Sequence, residues 1–359
     1  MSQPVRAEIL STLLPDAVPP LWVPLLTYYR MAGHEPVVTV DDQQMMTHAH
    51  ALHRTVPLWM VAGSTGDGWE LNDAHYEQLL SLAASPRLRR GESRILMAAL
   101  RPTTSEVVNL VERIHRVLGT SPGAGLASNI EALRSRGWVG ICVCPPCGKD
   151  ISQEGIARHL EAVFAATRMP VAVYQLPQVT GCRLEPDTFR ELAERHPEII
   201  LFKDSSGDDD VAARMAEDEP AVADRPLLVR GAESNYAGAL RSLGGPYDGL
   251  LLSTGNNFAP DLRRTVDDAL AGNADAARDR SDRLEALVAR LFAAAEGHDA
   301  PGNPFATVNR AVDHVRRHGS RWRDAPAPLV FDGSRLPAKL LEAVAAVLAS
   351  TADDHPIEQ

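Results

Sequence analysis

Residues 199–208 read IILFKDSSGD, a short apolar run that ends in a lysine and continues into a polar turn. Because the run is apolar at consecutive positions rather than at alternate ones, it indicates a β-strand buried on both faces, as in a parallel sheet. Similar runs occur along most of the chain. The predicted strands are residues 20–27, 57–63, 94–100, 138–144, 170–176, 199–203, 226–232 and 249–254.

The segments between these runs have the spacing of amphipathic helices, for example NDAHYEQLLSLAAS (72–85) and SQEGIARHLEAVFAAT (152–167). Strand starts recur about every 20 to 45 residues, as in repeated βα units. Eight such units predict an α/β protein built as a (β/α)8 TIM barrel. An open doubly wound sheet is the alternative, but no GxGxxG motif follows the first run to support a dinucleotide-binding fold.

The predicted barrel occupies residues 20–275 and is preceded by an N-terminal extension, residues 1–19. Further segments with helical spacing predict a C-terminal helical appendage over residues 276–351, followed by a polar tail, residues 352–359. No low-complexity linker divides the chain. We therefore expect one barrel domain with an appendage rather than two independent domains.

The chain carries 47 acidic and 36 basic residues, for a formal net charge of −11. This charge works against nucleic acid or an anionic membrane as the main partner. The apolar runs are far shorter than the roughly 20 residues of a membrane-spanning helix, and the first residues do not resemble a secretory signal. Four cysteines, three of them crowded at Cys142, Cys144 and Cys147, do not suggest a disulfide framework, so we expect a cytoplasmic protein.

Lysine is rare in this chain, because only Lys149, Lys203 and Lys339 are lysines among the 36 basic residues. An amine can lose its proton, which a guanidinium practically cannot. Lys203 follows a buried strand, where loss of water lowers the pKa of an amine, and a neutral amine can attack a carbonyl to form a Schiff base. The alternative is a structural lysine paired with Asp204 or another carboxylate.

Candidate functional side chains occur at the ends of two other predicted strands. GSTGDG (63–68) places Ser64 and Thr65 among glycines, so that backbone N–H groups can face a carboxylate or phosphate, although such a segment can also be a simple tight turn. Tyr174 lies near the end of the run 170–176, and its phenol could relay protons to a neighbouring Schiff base or simply pack at the barrel mouth. The clustered cysteines lack further ligands at a fitting spacing, so we expect no metal site.

Taken in order, GSTGDGWELN (63–72), YQLPQVTG (174–181), IILFKDSSGD (199–208) and RGAES (230–234) resemble motifs of the dihydrodipicolinate synthase / N-acetylneuraminate lyase family of class I aldolases. The resemblance extends from about Pro24 to Pro337. It implies a Schiff-base nucleophile, a proton-relay phenol and a binding site for a keto-acid carboxylate, and these roles fall respectively on Lys203, on Tyr174, and on Ser64 with Thr65. It further implies that Gly231, and Leu251 at the start of LLSTGNNFAP (251–260), contribute to substrate binding.

Two positions depart from the family pattern. Cys147, in PPCGK (145–149), stands at or beside a tyrosine that in the family crosses a subunit interface to complete a proton relay. We expect Cys147 to line the mouth of the pocket or a subunit interface. Val179 stands where dihydrodipicolinate synthases carry an arginine that binds the carboxylate of the second substrate, which argues against aspartate semialdehyde as that substrate.

The resemblance thus implies a lyase that needs no metal or organic cofactor, and a homodimer or homotetramer. We expect a Schiff-base aldolase that acts on pyruvate or a pyruvate-derived 2-keto acid, with an aldehyde other than aspartate semialdehyde. One alternative is a Schiff-base dehydratase or hydratase-aldolase acting on a sugar acid or an unsaturated 2-keto acid. The alternative from another class is a non-catalytic relative that only binds a keto acid.

Overall fold

The computed structural model describes residues 5–14, 21–33, 37–217 and 225–352. Within these ranges the chain forms short strands, most of them followed by a helix. The strands are β1 Leu21–Pro24, β2 Tyr29–Ala32, β3 Val37–Val40, β4 Leu58–Val61, β5 Arg94–Ala98, β6 Trp138–Val143, β7 Val171–Gln175, β8 Ile199–Asp204, β9 Leu227–Arg230 and β10 Gly249–Leu251.

The helices of the described ranges cover the outside of the sheet and continue beyond its last strand. They are α1 Arg6–Leu13, α2 Asp42–Leu52, α3 Asp73–Ala84, α4 Thr104–Leu118, α5 Gly125–Ser135, α6 Gln153–Thr167, α7 Pro177–Thr180, α8 Pro186–Arg195, α9 Asp210–Glu217, α10 Gly255–Leu270, α11 Ala274–Ala295, α12 Pro304–His318 and α13 Ala338–Ala352. Among the described helices, none combines the length and the apolar character needed to cross a bilayer.

Eight of the strands close into a parallel barrel in the order β1-β10-β9-β8-β7-β6-β5-β4. Closure is complete because β1 pairs with both β10 and β4. Each predicted apolar run coincides with one of these strands to within a few residues, so the prediction of a (β/α)8 barrel is confirmed and the open sheet is not formed. The apolar runs fill the barrel interior and its contacts with the surrounding helices, where Trp22, Trp59 and Trp138 are fully buried.

One pair of strands was not predicted. β2 and β3 form a separate antiparallel sheet between β1 and α2, with Tyr29 opposite Val40 and Ala32 opposite Val37. Both strands are partly exposed. They therefore lack the continuous apolar pattern by which the barrel strands are recognised.

The predicted N-terminal extension contains α1, which the structure attaches to the barrel. The buried guanidinium of Arg6 donates hydrogen bonds to the carbonyl oxygens of Ile199 (2.6 Å) and His196 (3.1 Å). Residues 1–4 and 15–20 lie outside the described ranges, as does the predicted tail from residue 353 onwards. Helices α11 to α13 cover the predicted C-terminal appendage and pack on one another, while the domain boundaries themselves remain predictions.

A buried ion pair joins this appendage to the barrel. Nη2 of Arg310, on α12, lies 2.6 Å from Oδ2 of Asp67, in the loop after β4, and each side chain is 1% exposed. The same nitrogen donates to the Thr27 carbonyl oxygen (3.0 Å), and the Tyr29 hydroxyl donates to Asp67 Oδ2 (2.9 Å). The loop after β4 and α12 are therefore fixed to each other in a water-free environment.

Arg310→Met should destabilise the protein strongly, because it leaves the Asp67 carboxylate buried without a counter-charge. We expect the free energy of unfolding in urea to fall by about 3–5 kcal/mol. Arg283→Met is the matched control, since Arg283 pairs with Asp279 on the exposed face of α11, where such a pair contributes about 0.2–1 kcal/mol. Equal losses in the two variants would contradict a special role for the buried pair.

Candidate active site

A cavity of about 440 Å³ opens at the carboxyl ends of the barrel strands, which is where enzymes of this architecture hold their active sites. It brings together most of the residues that the sequence analysis singled out. Among the residues that the structure describes, all the predicted site residues except Cys147 line it: Ser64, Thr65, Tyr174, Val179, Lys203, Gly231 and Leu251.

Lys203 projects into this cavity near the end of β8 and is buried. Burial disfavours the charged amine and lowers the pKa of Lys203 to about 8, an effect partly offset by Cys142, Cys144 and Glu233 nearby. A substantial fraction of the amine is therefore neutral near pH 8 and can act as a nucleophile.

Tyr174 is the neighbour of Lys203 on the adjacent strand, because β7 and β8 pair with these two residues in register. The Lys203 Nζ lies 4.0 Å from the centroid of the phenol ring. Burial raises the pKa of Tyr174, and Cys144 adds to this, whereas hydrogen bonds with the side chains of Ser205 and Ser64 act in the opposite direction. The phenol is thus protonated at neutral pH and lies within reach of groups bound to the amine.

Gly231 has no side chain, and the space where its Cβ would lie is taken up by the side chains of Lys203 and Ser205. A Cβ at this position would lie 2.7 Å from Cε of Lys203 and 2.1 Å from Oγ of Ser205, distances that real side chains do not adopt. The end of β9 must therefore carry a glycine for the Lys203 side chain to reach the cavity in this conformation.

The loop after β4 forms a tight 3-10 turn over Ser64–Gly66. The first backbone N–H groups of such a turn have no partner within it, so they are available to a carboxylate. Gly66 packs directly on the chain after β1, since a Cβ there would lie 2.6 Å from the Leu25 carbonyl oxygen. Ser64 and Thr65 are buried at the cavity wall, in agreement with the position predicted for them.

The sequence analysis did not identify Glu233, which also lines the cavity. Its carboxylate accepts hydrogen bonds from the Thr254 backbone N–H (3.1 Å), from the Thr254 hydroxyl (2.6 Å) and from the Ser253 hydroxyl. Its position two residues after Gly231, at the end of a predicted strand, is the signal that could have found it. These contacts join the ends of β9 and β10 beside Lys203.

A second part of the wall comes from the loop before α12 and was also not predicted. Nδ2 of Asn303 donates to the Ser64 carbonyl oxygen (2.6 Å), and its Oδ1 accepts the N–H of Ala306 and so caps α12. Phe305 lines the cavity beside Asn303. Glu70 also lines the cavity, next to Asn303. Burial, followed by the charge of Asp67, raises the pKa of its carboxyl, whereas a hydrogen bond with the Asn303 side chain acts in the opposite direction.

The two positions that depart from the family pattern lie in different surroundings. Val179, on α7, is exposed at the cavity and offers no charge. Cys147 is half-buried, its N–H donates to the Pro102 carbonyl oxygen (2.9 Å), and it does not line the described part of the cavity. The structure thus places Cys147 against the loop after β5, and it leaves the expected interface role as a prediction.

The charges of the cavity limit its chemistry. Among its described lining residues, Lys203 is the one basic side chain, Glu70 and Glu233 are acidic, and the others are uncharged. The described residues contain no group of three or more His, Cys, Asp or Glu side chains that could hold a metal ion. The site therefore offers a nucleophilic amine, a phenol and hydroxyl groups, and no guanidinium for an additional carboxylate.

Comparison with known proteins gives a consistent result. The profile of the dihydrodipicolinate synthetase family matches residues 126–300. A 4-hydroxy-tetrahydrodipicolinate synthase from Stenotrophomonas maltophilia (strain R551-3) is 32% identical over 269 residues, which span 73% of this chain and 77% of that protein.

Solved structures share the fold. YagE, a prophage protein of the dihydrodipicolinic acid synthase family from E. coli K12 in complex with pyruvate, has a TM-score of 0.70 at 19% identity, covering 92% of this chain and 97% of that one. KD(P)GA from T. tenax has a TM-score of 0.68 at 18% identity, covering 93% and 99%. On the sequence match, the chain belongs to the dihydrodipicolinate synthetase family, a family of lyases.

Proposed function

We propose that this enzyme is a class I aldolase that forms a Schiff base between Lys203 and pyruvate or a pyruvate-derived 2-keto acid. It then forms or cleaves a carbon–carbon bond with an aldehyde other than aspartate semialdehyde. The observation that carries the proposal is the buried amine of Lys203, with a pKa lowered to about 8, against the ring of Tyr174 in the cavity. Membership in a family of lyases supports it over a protein that only binds a keto acid.

The first step is attack of the neutral Lys203 Nζ on the C2 carbonyl of the keto acid, which gives a carbinolamine after proton transfer from nitrogen to oxygen. Tyr174 then gives its phenolic proton to the carbinolamine hydroxyl, which leaves as water, and the nitrogen becomes a cationic iminium. The turn of Ser64 and Thr65 would hold the keto-acid carboxylate through its backbone N–H groups and the Thr65 hydroxyl.

The second step uses the electron withdrawal of the iminium. The Tyr174 phenolate takes a proton from C3, which leaves an enamine and restores the phenol. The enamine carbon adds to the aldehyde carbonyl, and the new alkoxide takes the phenolic proton of Tyr174. Water then adds to the resulting iminium and gives a proton back to the Tyr174 phenolate, and the carbinolamine so formed breaks down to product and the neutral Lys203 amine. In the cleavage direction the same steps run in reverse. Every step uses groups of the chain, substrate and water, so the proposal includes no metal or organic cofactor.

Two other activities would use the same Lys203 iminium. A dehydratase or hydratase-aldolase would eliminate or add water next to it. The second is the reaction of a 4-hydroxy-tetrahydrodipicolinate synthase, which is the name given to curated relatives of the chain. The uncharged Val179 and the absence of a guanidinium from the described cavity wall favour an acceptor without a carboxylate over this last activity.

We further propose that the enzyme is a homodimer or homotetramer. One structurally similar protein is described as the first monomeric dihydrodipicolinate synthase variant, and this description implies that its relatives assemble. Sedimentation of the purified protein measures the assembly directly.

Incubation with pyruvate and borohydride should add one reduced pyruvyl group, which peptide mapping locates at Lys203. Lys203→Arg should abolish the adduct, because a guanidinium cannot provide the neutral nucleophile. Lys149→Arg and Lys339→Arg are matched controls at exposed positions and should retain the adduct. An unchanged adduct in Lys203→Arg would refute the proposed nucleophile.

The rate of iminium formation should follow the protonation state of Lys203. Because burial lowers the pKa of this amine to about 8, the neutral form increases as the pH rises towards 8. At subsaturating pyruvate we expect the rate of adduct formation, measured by quenching with borohydride, to rise about tenfold per pH unit below pH 8 and to level off above it. A rate that still rises tenfold between pH 9 and pH 10 would show an unperturbed amine.

Aspartate semialdehyde should be a poor acceptor, because its carboxylate meets no cation beside Val179. A lost charge-assisted hydrogen bond of about 1.5–3 kcal/mol corresponds to roughly 10- to 150-fold in kcat/KM. Val179→Arg should raise kcat/KM for this aldehyde by about tenfold or more, whereas Val179→Met, of similar length without charge, should not. Efficient turnover of aspartate semialdehyde by the unmodified enzyme would instead support the activity named for the relatives.

A further inference from the structure

Trp69 contributes a hydrogen bond to the cavity wall that the mechanism above does not use. Its indole Nε1 lies 3.0 Å from Oγ of Ser64 and donates to it. Ser64 and Tyr174 line the same cavity, and a side-chain hydrogen bond with Ser64 lowers the pKa of the Tyr174 phenol. The described residues therefore connect indole, hydroxyl and phenol in one chain of hydrogen bonds.

The chemistry of the indole, the hydroxyl and the phenol decides which group donates and which accepts in these hydrogen bonds. An indole N–H can only donate, so the Ser64 oxygen is the acceptor of that bond. Ser64 has a single hydrogen of its own, and the Tyr174 oxygen is the other partner that the structure gives to this hydroxyl. The indole occupies one of the two lone pairs of the Ser64 oxygen and leaves the Ser64 hydrogen available to Tyr174. Once Tyr174 is a phenolate it can only accept, so Ser64 must then be the donor of the bond between them.

We propose that Trp69 is a positioning residue that holds the Ser64 hydroxyl as a hydrogen-bond donor to Tyr174, and thereby stabilises the phenolate that forms when Tyr174 gives up its proton. This inference rests on the proposed Schiff-base function. Trp69 itself transfers no proton. The phenolic proton goes to the departing water, the phenolate later takes the C3 proton, and the indole N–H remains bound to nitrogen throughout.

The phenolate requires such support because Tyr174 is buried. A charge away from water is costly unless it accepts hydrogen bonds, and hydroxyl donors to an anion give bonds stronger than those between neutral groups. Successive hydrogen bonds polarise one another, so a donor on the Ser64 oxygen strengthens the bond that Ser64 gives. Ser205 contacts the same phenol and supplies a second donor, which explains why loss of Trp69 alone should reduce rather than abolish the effect.

The backbone that carries Trp69 and Ser64 is held by hydrogen bonds within one subunit. The N–H groups of Glu70 and Leu71 both donate to the Asp67 carbonyl oxygen at 2.9 Å, which holds the turn that carries Trp69. Asn303 holds the Ser64 carbonyl oxygen. The position of the indole against Ser64 therefore follows from the fold of this chain and needs no residue from another subunit.

The test uses proton exchange, which needs no knowledge of the aldehyde. Exchange of the C3 protons of pyruvate for deuterium in D₂O, followed by NMR, reports enamine formation directly. The rate is expressed per site that forms the borohydride adduct, so a misfolded fraction does not contribute. Trp69→Phe keeps an aromatic ring and removes the N–H. We expect it to slow exchange by about 3- to 10-fold, with the adduct itself retained.

A double-mutant cycle separates positioning from a change of cavity shape. If Trp69 acts through Ser64, then Trp69→Phe should change the exchange rate less than about twofold in a Ser64→Ala background. Phe305→Leu alters another aromatic part of the wall without touching this chain of hydrogen bonds, and its effect should be the same in both backgrounds.

Two results would overturn the inference. One is an exchange rate in Trp69→Phe equal to that of the unmodified enzyme. The other is the same slowing by Trp69→Phe whether or not the Ser64 hydroxyl is present, which would reduce Trp69 to a wall residue. In both cases adduct formation by the unmodified enzyme leaves the proposed function intact, whereas absence of that adduct would overturn the function and this inference together.

Discussion

The contact between Asp67 and Arg310 connects the two parts of the protein on which the site depends. It fixes the loop after β4, which carries Ser64, Thr65 and Trp69, to α12, which is capped by Asn303 and contains Phe305. Because both charges are removed from water, separating Asp67 from Arg310 would cost much free energy. The cavity wall is thus built from segments that are distant in sequence, and this ion pair and the hydrogen bond from Asn303 to Ser64 hold them together.

The pairing of the barrel strands positions the other part of the site, Lys203 and Tyr174. Parallel pairing places Lys203 beside Tyr174, and the same burial that keeps the strands dry lowers the pKa of the amine and raises that of the phenol. The lowered pKa of the amine and the raised pKa of the phenol serve different steps of the proposed reaction. The amine loses its proton more easily and so becomes a nucleophile, while the phenol keeps its proton until a strong acceptor forms next to it.

The predictable parts of the structure are those determined by local patterns. The barrel strands were recognised because each is a continuous apolar run, and Lys203, Tyr174 and Ser64 were found because they end such runs or follow them directly. The β2–β3 pair was missed because both strands are half exposed. Asn303 was missed for another reason: it meets Ser64 across 239 residues, a contact that no local periodicity encodes.

The burial of Lys203 also affects which carbonyl compounds the enzyme can hold. An amine can avoid charge by losing a proton, but an iminium is an obligate cation and stays charged at every pH. A 2-keto acid brings its own counter-ion on the adjacent carbon, so the adduct as a whole is nearly neutral when its carboxylate remains ionised. A simple ketone or aldehyde would bring no counter-ion of its own to the proposed iminium. The dry interior thereby adds to the preference for 2-keto acids that contacts to the carboxylate would give.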